Sequence, residues 1–355
     1  MINKIKDLIG EIEDSKLKRK IKELNLLKDI KVDGDRIDVF FEVIPPLQTL
    51  QCSTGNEMED RLREEFPNYS INVHIDEKDS DANKAKPASG IKHLIAVASG
   101  KGGVGKSTVT ANLAIALSQT GAKVAILDAD IYGPSQPLMY GLEQQTMSAI
   151  ERDGEVFAIP LENHGVKVVS MGFALQRDQA AILRGPMLAS YFTMLFEQVD
   201  WGEIDYLLFD MPPGTGDIQL TMTQKVPLTG AVIVTTPQEI SLADVRRSIN
   251  MFQKVNVRTL GLVENMSYFT PPDMPDKKYY IFGEGGGKLT AEEYNIPFLG
   301  EIPLAMNIRE AGDSGKPITA LDSDSIQGKA FRAIAEKLIN EVKNMDAKQP
   351  PVIKM

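Results

Sequence analysis

The residues best suited to chemistry lie in a glycine-rich stretch that follows an apolar segment. Residues 100–108 read Gly-Lys-Gly-Gly-Val-Gly-Lys-Ser-Thr and contain the pattern G-x-x-x-x-G-K-S/T of a phosphate-binding loop, or P-loop. Glycines at these positions let successive backbone N–H groups turn toward a phosphate. The predicted nucleotide-binding residues are Gly100, Lys101, Gly102, Gly103, Val104, Gly105, Lys106, Ser107 and Thr108.

Within this loop, two side chains have distinct predicted roles. Lys106 adds a positive charge near the β- and γ-phosphates, and the Ser107 hydroxyl can ligate Mg²⁺. A second lysine, Lys101, follows the first glycine and is not required by the general pattern.

Two carboxylates follow the next apolar segment. Asp128 and Asp130 stand two positions apart, so at the end of a strand both side chains would point to the same side. One of them can hold Mg²⁺ through water while the other orients or activates an attacking water. An ordinary Asx turn before Gly133 and Pro134 is the alternative interpretation of the same residues.

Two later apolar runs also end in polar residues. Asp210 ends the run Leu-Leu-Phe-Asp, which is typical of a Walker B carboxylate that faces Mg²⁺, and Gly214 and Gly216 follow it in a loop suited to sensing the γ-phosphate. Asn265 ends another run, where its amide can hydrogen-bond the adenine edge. A strand-capping asparagine is the alternative there.

The elements that would position these residues alternate along the chain from residue 91. Short apolar runs bounded by polar residues predict parallel strands that are covered on both faces. The predicted strands are residues 93–99, 123–128, 166–171, 206–210, 231–235, 259–264 and 298–301, and the predicted helices are 107–120, 188–199, 218–226, 242–255 and 287–294. This alternation predicts an α/β fold, a doubly wound and mostly parallel sheet of the P-loop NTPase kind with ligands at the carboxyl ends of its strands.

The rest of the chain predicts further domains and segments. Residues 1–80 read as a small α/β domain, with a helix near the start, a hairpin over 32–44 that turns at Asp33-Gly34, a helix at 56–65 and a strand at 70–75. Residues 81–90 read as a polar linker, 91–345 as the ATPase domain and 346–355 as a frayed tail. We expect the amphipathic helix at 325–343 to pack on the sheet. A membrane-surface helix is the alternative.

Composition narrows the class of protein. The 355 residues carry a formal net charge of −10, which argues against nucleic-acid binding, and 43% of them are hydrophobic, enough for a sizeable core. The sequence contains no run of about 18 apolar residues, so no membrane span is predicted. The N-terminus is charged and does not resemble a signal peptide. A single cysteine, Cys52, excludes an internal disulfide, so we expect a cytoplasmic protein.

Motifs in order from about residue 91 to 340 resemble those of one family. They are the P-loop with Lys101, Asp128-Ala-Asp130-Ile-Tyr-Gly-Pro-Ser, Arg184-Gly-Pro-Met187, Asp210-Met-Pro-Pro-Gly-Thr-Gly-Asp217, Thr236-Pro-Gln, Glu264-Asn-Met-Ser267 and Ile281-Phe-Gly-Glu-Gly-Gly-Gly287. The sequence thus resembles the Mrp/ApbC iron–sulfur cluster carrier ATPases, relatives of MinD, ParA and the nitrogenase iron protein. Residues 1–80 resemble the small assembly domain that often precedes the ATPase in this family.

The resemblance implies a homodimer that closes around two ATP molecules with Mg²⁺. Lys101 would then reach the partner's phosphates, as an arginine finger does, and Asp130 would activate the water. Asp128 and Asp210 would join Ser107 at Mg²⁺, and Asn265 would contact the base. Partners would be iron–sulfur donors or apoprotein clients, with no nucleic acid and no membrane.

The sequence departs from the family at the cluster ligands. Typical members carry Cys-x-x-Cys within a dozen residues of the Asn-Met-Ser segment, and two such pairs hold a 4Fe–4S cluster between subunits. Residues 268–281 here contain no cysteine, so the cluster, if one is held, falls to Cys52 or to non-cysteine ligands. Cys52 is either a transfer ligand or an inert small residue.

The altered stretch offers aromatic residues instead. Phe269, Tyr279, Tyr280 and Phe282, with three prolines, suggest an apolar surface for a second subunit or a client. Three functions remain open: a cluster carrier ATPase, a nucleotide-switched maturation or interaction protein that holds no cluster, and a spatial regulator of the MinD/ParA kind.

Overall fold

A computed structural model of the chain describes residues 1–14, 19–24, 26–43, 52–77, 90–130, 133–152, 155–173 and 192–346. The described residues form two compact units, of which the first contains the N-terminal elements and a hairpin within Thr146–Ile159. The second unit contains the remaining elements. Residues 81–89 of the predicted linker, the 184–187 motif and the tail beyond residue 346 lie outside the described part of the chain.

The first unit is a small sheet with helices on one face. Its elements are α1 (Ile2–Gly10), β1 (Glu13–Asp14), β2 (Arg19–Lys20), α2 (Ile21–Leu24), β3 (Leu27–Asp33), β4 (Arg36–Val43), α3 (Cys52–Glu65), β5 (Ser70–Glu77) and the hairpin β8 (Ala149–Arg152) with β9 (Glu155–Ala158). Strands β3, β4 and β5 pair in that order, antiparallel and then parallel. Along β4, the buried Ile37, Val39 and Phe41 alternate with more exposed residues, so one face of the sheet meets the helices.

The second unit is built on one eight-stranded sheet. Its strands are β6 (Ile91–Ala98), β7 (Val124–Asp128), β10 (Leu161–Asn163), β11 (Val166–Ser170), β12 (Ile204–Asp210), β13 (Gly230–Thr235), β14 (Thr259–Phe269) and β15 (Phe298–Leu304). The strand order is β10-β11-β7-β12-β6-β13-β14-β15, and every neighbouring pair is parallel except β10 with β11. The doubly wound, mostly parallel α/β fold predicted from the sequence is confirmed.

Helices cover this sheet. They are α4 (Lys106–Ser118), α5 (Gln136–Met139), α6 (192–197), α7 (Asp217–Lys225), α8 (Glu239–Lys254), α9 (Gly286–Glu293), α10 (Met306–Asp313), α11 (Ile318–Leu321) and α12 (Ile326–Asp346), with a short 3-10 turn at Met171–Phe173. Helix α4 is buried on nearly all sides, because it lies between the sheet and helices α11 and α12.

The C-terminal helix α12 packs on the fold as expected. Its apolar residues Phe331, Ile334, Leu338 and Val342 are at most 1% exposed, and the helix contacts α4 and β15. Among the described helices, none has both the length and the apolar character that crossing a membrane requires.

Most predicted elements appear within three residues of their predicted ends, and two differ in an informative way. Strand β14 continues through Asn265 to Phe269, five residues beyond the predicted end, because its polar residues find buried partners. In the N-terminal hairpin, Asp33 pairs with Arg36, so the turn is Gly34-Asp35, one position later than predicted. Gly34 has a φ of +57°, a left-handed conformation that favours glycine.

Candidate functional site

The glycine-rich loop joins β6 to α4 at the carboxyl edge of the sheet. Gly103 and Gly105 have φ values of +81° and +80°, which glycine adopts without steric cost. A side chain added at Gly103 would meet no atom within 4 Å, so the loop is open there toward a ligand. Two contacts brace its first half, since the Ser99 hydroxyl donates to the Lys101 carbonyl at 2.9 Å and the Gly214 N–H donates to the Ser99 carbonyl at 2.9 Å.

The second half of the loop is braced by β14. The Asn265 side-chain N–H₂ donates to the Val104 carbonyl at 2.8 Å, and Asn265 is only 7% exposed. A side chain on Gly105 would approach the Asn265 amide nitrogen to 2.2 Å, so glycine is required there for space as well as for its backbone. The sequence suggested Asn265 for the adenine edge, and the structure places its amide nitrogen on the P-loop backbone.

Lys106 lies inside the site with its charge paired. Its ammonium donates to Asp210 Oδ1 and, at 3.1 Å, to the Ser107 hydroxyl, while Lys106 is 6% exposed and Asp210 is fully buried. A buried ion pair is stable only where further hydrogen bonds replace the lost water. Here Thr110 contributes, because its hydroxyl lies 3.2 Å from the same Asp210 oxygen and shares its proton with the Lys106 carbonyl at 3.0 Å.

The carboxylates of Asp128 and Asp210 are brought together by strand register. The two residues are direct partners on the parallel strands β7 and β12, and both are fully buried. Ser170 stands opposite Asp128 on the other neighbouring strand, β11, and its hydroxyl donates to Asp128 Oδ2 at 3.0 Å. This edge of the sheet therefore presents a row of oxygen atoms beside the P-loop.

Burial raises the pKa of Asp128 to about 7, and the negative charge of Asp210 adds to that rise. The positive charge of Lys106 acts in the opposite direction, as do hydrogen bonds from the Gln136 backbone and the Ser170 hydroxyl. The site thus holds two buried carboxylates and one nearly buried ammonium, so additional positive charge is favoured there.

Asp130 has a different position from the one the sequence suggested. Strand β7 ends at Asp128, so the alternation that placed both carboxylates on one side of a strand stops before Asp130. Asp130 is partly exposed, and its backbone N–H donates to Asp128 Oδ1 at 3.2 Å. It borders the buried carboxylates rather than sharing their environment.

Two glutamines in the site were missed by sequence reasoning. Gln136 on α5 is fully buried and donates to Asp210 Oδ2 at 2.8 Å. Gln219 on α7 holds the loop after β12, since its amide donates to the Pro213 carbonyl at 2.6 Å and accepts from the Gly216 N–H at 2.9 Å. Glutamine has no spacing signature of its own, and its partners here are recognisable only once the fold is known.

The donor set fits Mg²⁺. Carboxylate and hydroxyl oxygens of Asp128, Asp210 and Ser107 are the hard ligands that this cation takes, usually together with water and phosphate. Among the described residues, Ser135 Oγ and Gln136 Oε1 are buried polar atoms without a hydrogen-bond partner. Such atoms are rare in folded proteins, and both lie in the segment that carries Gln136 beside Asp210.

Lys101 and Cys52 are not part of the buried group formed by Lys106, Asp128 and Asp210. Lys101 is partly exposed in the loop, and among the described residues its ammonium has no hydrogen-bond or ion-pair partner. Cys52 is the first residue of α3 in the first unit, and its side chain lies outside the described part of the structure. Within the described residues, no group of three or more His, Cys, Asp or Glu side chains is placed to hold a metal ion.

The stretch that lacks cysteines forms an aromatic hairpin. Phe269 and Tyr279 exchange two backbone hydrogen bonds of 2.8 Å, and the Lys278 ammonium lies 4.0 Å from the Tyr268 ring centroid. Tyr279 and Tyr280 are 47% and 41% exposed. A mostly apolar cavity of about 510 Å³ lies beside this hairpin, against the end of β15 and the first turns of α10 and α12.

Comparison with known proteins identifies the family. A family model described as ParA, the NUBPL iron-transfer P-loop NTPases, matches residues 90–339. The chain belongs to this family. The resemblance inferred from its motifs is therefore confirmed.

Relatives of this ParA/NUBPL family cover most of the chain. An iron-sulfur cluster carrier protein of Synechocystis sp. is 45% identical over 340 residues, which are 94% of this chain and 96% of the relative. The iron-sulfur cluster transfer protein NUBPL of Dictyostelium discoideum is 46% identical over 304 residues, 84% of this chain and 93% of the relative.

Solved structures of the same fold are also known. A nucleotide-binding protein from Archaeoglobus fulgidus in complex with ADP is 39% identical, with a TM-score of 0.61 over 72% of this chain and 97% of that one. The septum site-determining protein MinD with Mg-ADP from Pyrococcus horikoshii is 22% identical, with a TM-score of 0.54 over 73% of this chain and 100% of that one. The second likeness concerns the fold alone.

Proposed function

We propose that this protein binds and hydrolyses ATP as a homodimer and that its nucleotide state controls the transfer of an iron–sulfur cluster, its cargo. The observation that carries the proposal is the buried group formed by Lys106, Asp210 and Asp128 at the P-loop. The printed names of the carrier and transfer relatives support the cargo, and the ADP of the Archaeoglobus protein supports the nucleotide.

In this proposal the P-loop and Lys106 hold the phosphates. Backbone N–H groups of residues 102–108 turn toward them, and Lys106 exchanges the Asp210 oxygen for a phosphate oxygen. Ser107, Asp128 and Asp210 hold Mg²⁺, which, when bound, neutralises phosphate charge. Because the carboxylates are already placed by strand register, little reorganisation accompanies binding.

Two side chains at the border of the site have roles in hydrolysis. Asp130, next to the buried carboxylates and partly exposed, accepts the proton of the attacking water. Lys101 reaches the phosphates of the partner subunit, which is consistent with an ammonium that has no partner among the described residues. Asn265 retains its proposed contact with the base through its amide oxygen, alongside its bond to the loop.

The proposal keeps the division predicted from the sequence, with residues 1–80 as a small assembly-like domain, 81–90 as a linker and 91–345 as the ATPase domain. The structure groups the hairpin within Thr146–Ile159 with the first unit. Cys52 in the small domain is the only thiol of the chain, so it is the cysteine available to meet a cluster, a donor or an apoprotein client.

One observation favours a second candidate function. A 4Fe–4S cluster takes four thiolates, whereas two copies of this chain supply two. A nucleotide-switched maturation or interaction protein that holds no cluster would need no thiolate ligands.

Anaerobic reconstitution of the full chain with iron and sulfide separates the two candidates. Iron and sulfide counts and the absorption spectrum are measured for the wild type and for Cys52→Ser, each with and without MgATP. The carrier proposal expects iron and sulfide bound by the wild type and lost in Cys52→Ser. A wild type that binds nucleotide and no iron would instead establish the second candidate.

A further inference from the structure

The side chain of Gln136 touches both parts of the nucleotide site. Its amide nitrogen donates to Asp210 Oδ2 at 2.8 Å and to the Ser107 carbonyl at 3.1 Å. Its backbone N–H donates to Asp128 Oδ2 at 3.2 Å. One residue thereby joins β7, β12 and the first turn of α4, all of which bear proposed Mg²⁺ ligands.

The orientation of this amide is fixed by chemistry. Both atoms that face it, a carboxylate oxygen and a backbone carbonyl oxygen, are acceptors only. The amide nitrogen of Gln136 must therefore point to them, and its oxygen points away. That oxygen, Oε1, is buried and has no hydrogen-bond partner among the described residues.

Gln136 completes the hydrogen bonding of Asp210. Oδ1 of that carboxylate accepts from Lys106 and Thr110, and Oδ2 accepts from Gln136. When Lys106 turns to a phosphate, the Gln136 contact remains and keeps the carboxylate in place. Outer partners of this kind orient metal ligands and maintain their affinity.

We propose that Gln136 is a positioning residue that holds Asp210 and the Ser107 turn in the geometry that binds Mg²⁺ with the nucleotide. This inference rests on the proposed nucleotide function and names a determinant of that function beyond the P-loop and the carboxylates. It assigns Gln136 no contact with the reacting atoms.

The test compares nucleotide affinity with and without metal. Binding of the fluorescent analogue mant-AMPPNP is titrated in Mg²⁺ and in EDTA, and the ratio of the two affinities is the Mg²⁺ enhancement. In Gln136→Met, which keeps the side-chain length and removes both donors, we expect the enhancement to fall roughly 10- to 100-fold. The affinity in EDTA should stay within about twofold of the wild type, because the phosphate contacts of the loop remain.

A merely structural glutamine would behave differently. A lower melting temperature with unchanged enhancement, or an equal loss of affinity in Mg²⁺ and EDTA, would overturn the inference. Gln119→Leu is the matched control, since it removes an amide-to-carbonyl bond of 2.9 Å to Thr319 at the far end of α4. It should leave the enhancement unchanged.

Two further arms keep the result decisive. If Gln136→Met does not fold, Gln136→Asn retains the amide on a shorter stem that cannot reach both acceptors, and the same selective loss is expected. If the wild type itself binds no nucleotide, the proposed function fails and the inference with it. A wild type with clear Mg²⁺ enhancement that Gln136→Met and Gln136→Asn both preserve defeats the inference alone.

Discussion

At the residue scale, the two lysines of the P-loop stand in different surroundings. Lys106 is buried and bonded to Asp210, whereas Lys101 is partly exposed and lacks a partner among the described residues. A buried ammonium bonded to a carboxylate is suited to binding phosphate in its own site, while a partly exposed lysine is suited to reaching a second subunit.

Replacing each lysine should therefore separate binding from hydrolysis. Lys106→Ala should abolish nucleotide binding and also lower the free energy of unfolding by about 3–5 kcal/mol, because Asp210 stays buried without its counter-charge. Lys101→Ala should spare binding and lower kcat by roughly 10³-fold or more, as loss of an arginine finger does. Fluorescent nucleotide titration, urea unfolding and phosphate release measure the three quantities.

Lys92→Ala serves as the control for both, since Lys92 forms an exposed ion pair with Asp205 in the same unit. Its effect on stability should be small, because water screens an exposed ion pair. Equal loss of nucleotide binding in Lys101→Ala and Lys106→Ala would contradict the division of roles.

Glu264 is a second residue whose surroundings make a measurable prediction. It is fully buried on β14, where Oε2 accepts from the Gly287 N–H at 2.5 Å and Oε1 has no partner among the described residues. Burial raises the pKa of Glu264. The folded state therefore binds a proton more tightly at this site than the unfolded state does, and this contribution to stability is lost as pH rises through the folded pKa.

In Glu264→Gln the amide oxygen can still accept from Gly287, but no charge forms. Relative to this variant, the wild type should lose stability as the pH increases from the ordinary pKa range of a glutamate through the raised pKa of Glu264. Thermal unfolding of both proteins at pH 5 and pH 8 measures the difference. Glu292→Gln on the exposed side of α9 should track the wild type. If the wild type and Glu264→Gln differed in melting temperature by the same amount at both pH values, burial would not raise the pKa of this carboxyl.

At the element scale, the P-loop is shaped by β14 as much as by its own glycines. A side chain at Gly105 would both adopt a φ of +80° and collide with Asn265 at 2.2 Å. Gly105→Ala should thus lower the free energy of unfolding by more than the roughly 1–2 kcal/mol of left-handed strain. Asn265→Ala should lower it by about 1–3 kcal/mol, because the Val104 carbonyl loses its donor.

The double variant distinguishes collision from strain. If the collision is real, Asn265→Ala relieves it, and the double variant should be less destabilised than the sum by about 0.5–3 kcal/mol. Urea unfolding of the four proteins gives this coupling. Additive effects would mean that β14 does not brace the loop.

Sequence patterns predicted the strands of the second unit well, for a physical reason. Buried parallel strands are apolar on both faces, so they appear in the sequence as continuous apolar runs such as Leu207-Leu-Phe. The end of β14 was missed because Asn265 and Ser267, which follow the predicted end at Glu264, look like loop residues. Both find hydrogen-bond partners in the fold, since Asn265 donates to the Val104 carbonyl and Ser267 donates to the Glu264 carbonyl.

The residues of the candidate site also fall into those that the sequence predicted and those that it did not. The P-loop, Asp128 and Asp210 were predictable, since their chemistry requires those residue types at strand ends. Gln136 was not, because Asp210 lies 74 positions away and no local pattern joins them. Asp130 was placed on a strand by spacing, whereas β7 ends two residues earlier.

At the scale of the whole molecule, the proposed dimer needs a surface, and the aromatic hairpin offers one. Tyr279, Tyr280 and Ile281 are 47%, 41% and 57% exposed, beside a cavity of about 510 Å³. The hairpin continues from the carboxyl end of β14, the same edge of the sheet from which the P-loop leaves β6. A partner subunit that receives Lys101 at this edge would lie within reach of the hairpin.

Replacing Tyr279 and Tyr280 together with Ser should therefore weaken self-association in the presence of MgATP, because two large apolar side chains leave the interface. Sedimentation velocity of full-length protein over a concentration series measures the effect, with a shift of at least about tenfold in dimer dissociation expected. Leu321→Ser, which changes a 59% exposed apolar side chain on α11, is the matched control. If the double variant associates as the wild type does while its nucleotide affinity is intact, the hairpin is not part of the dimer surface. In that case its aromatic side chains remain available to a client, and Lys101 must reach its phosphates across a different face.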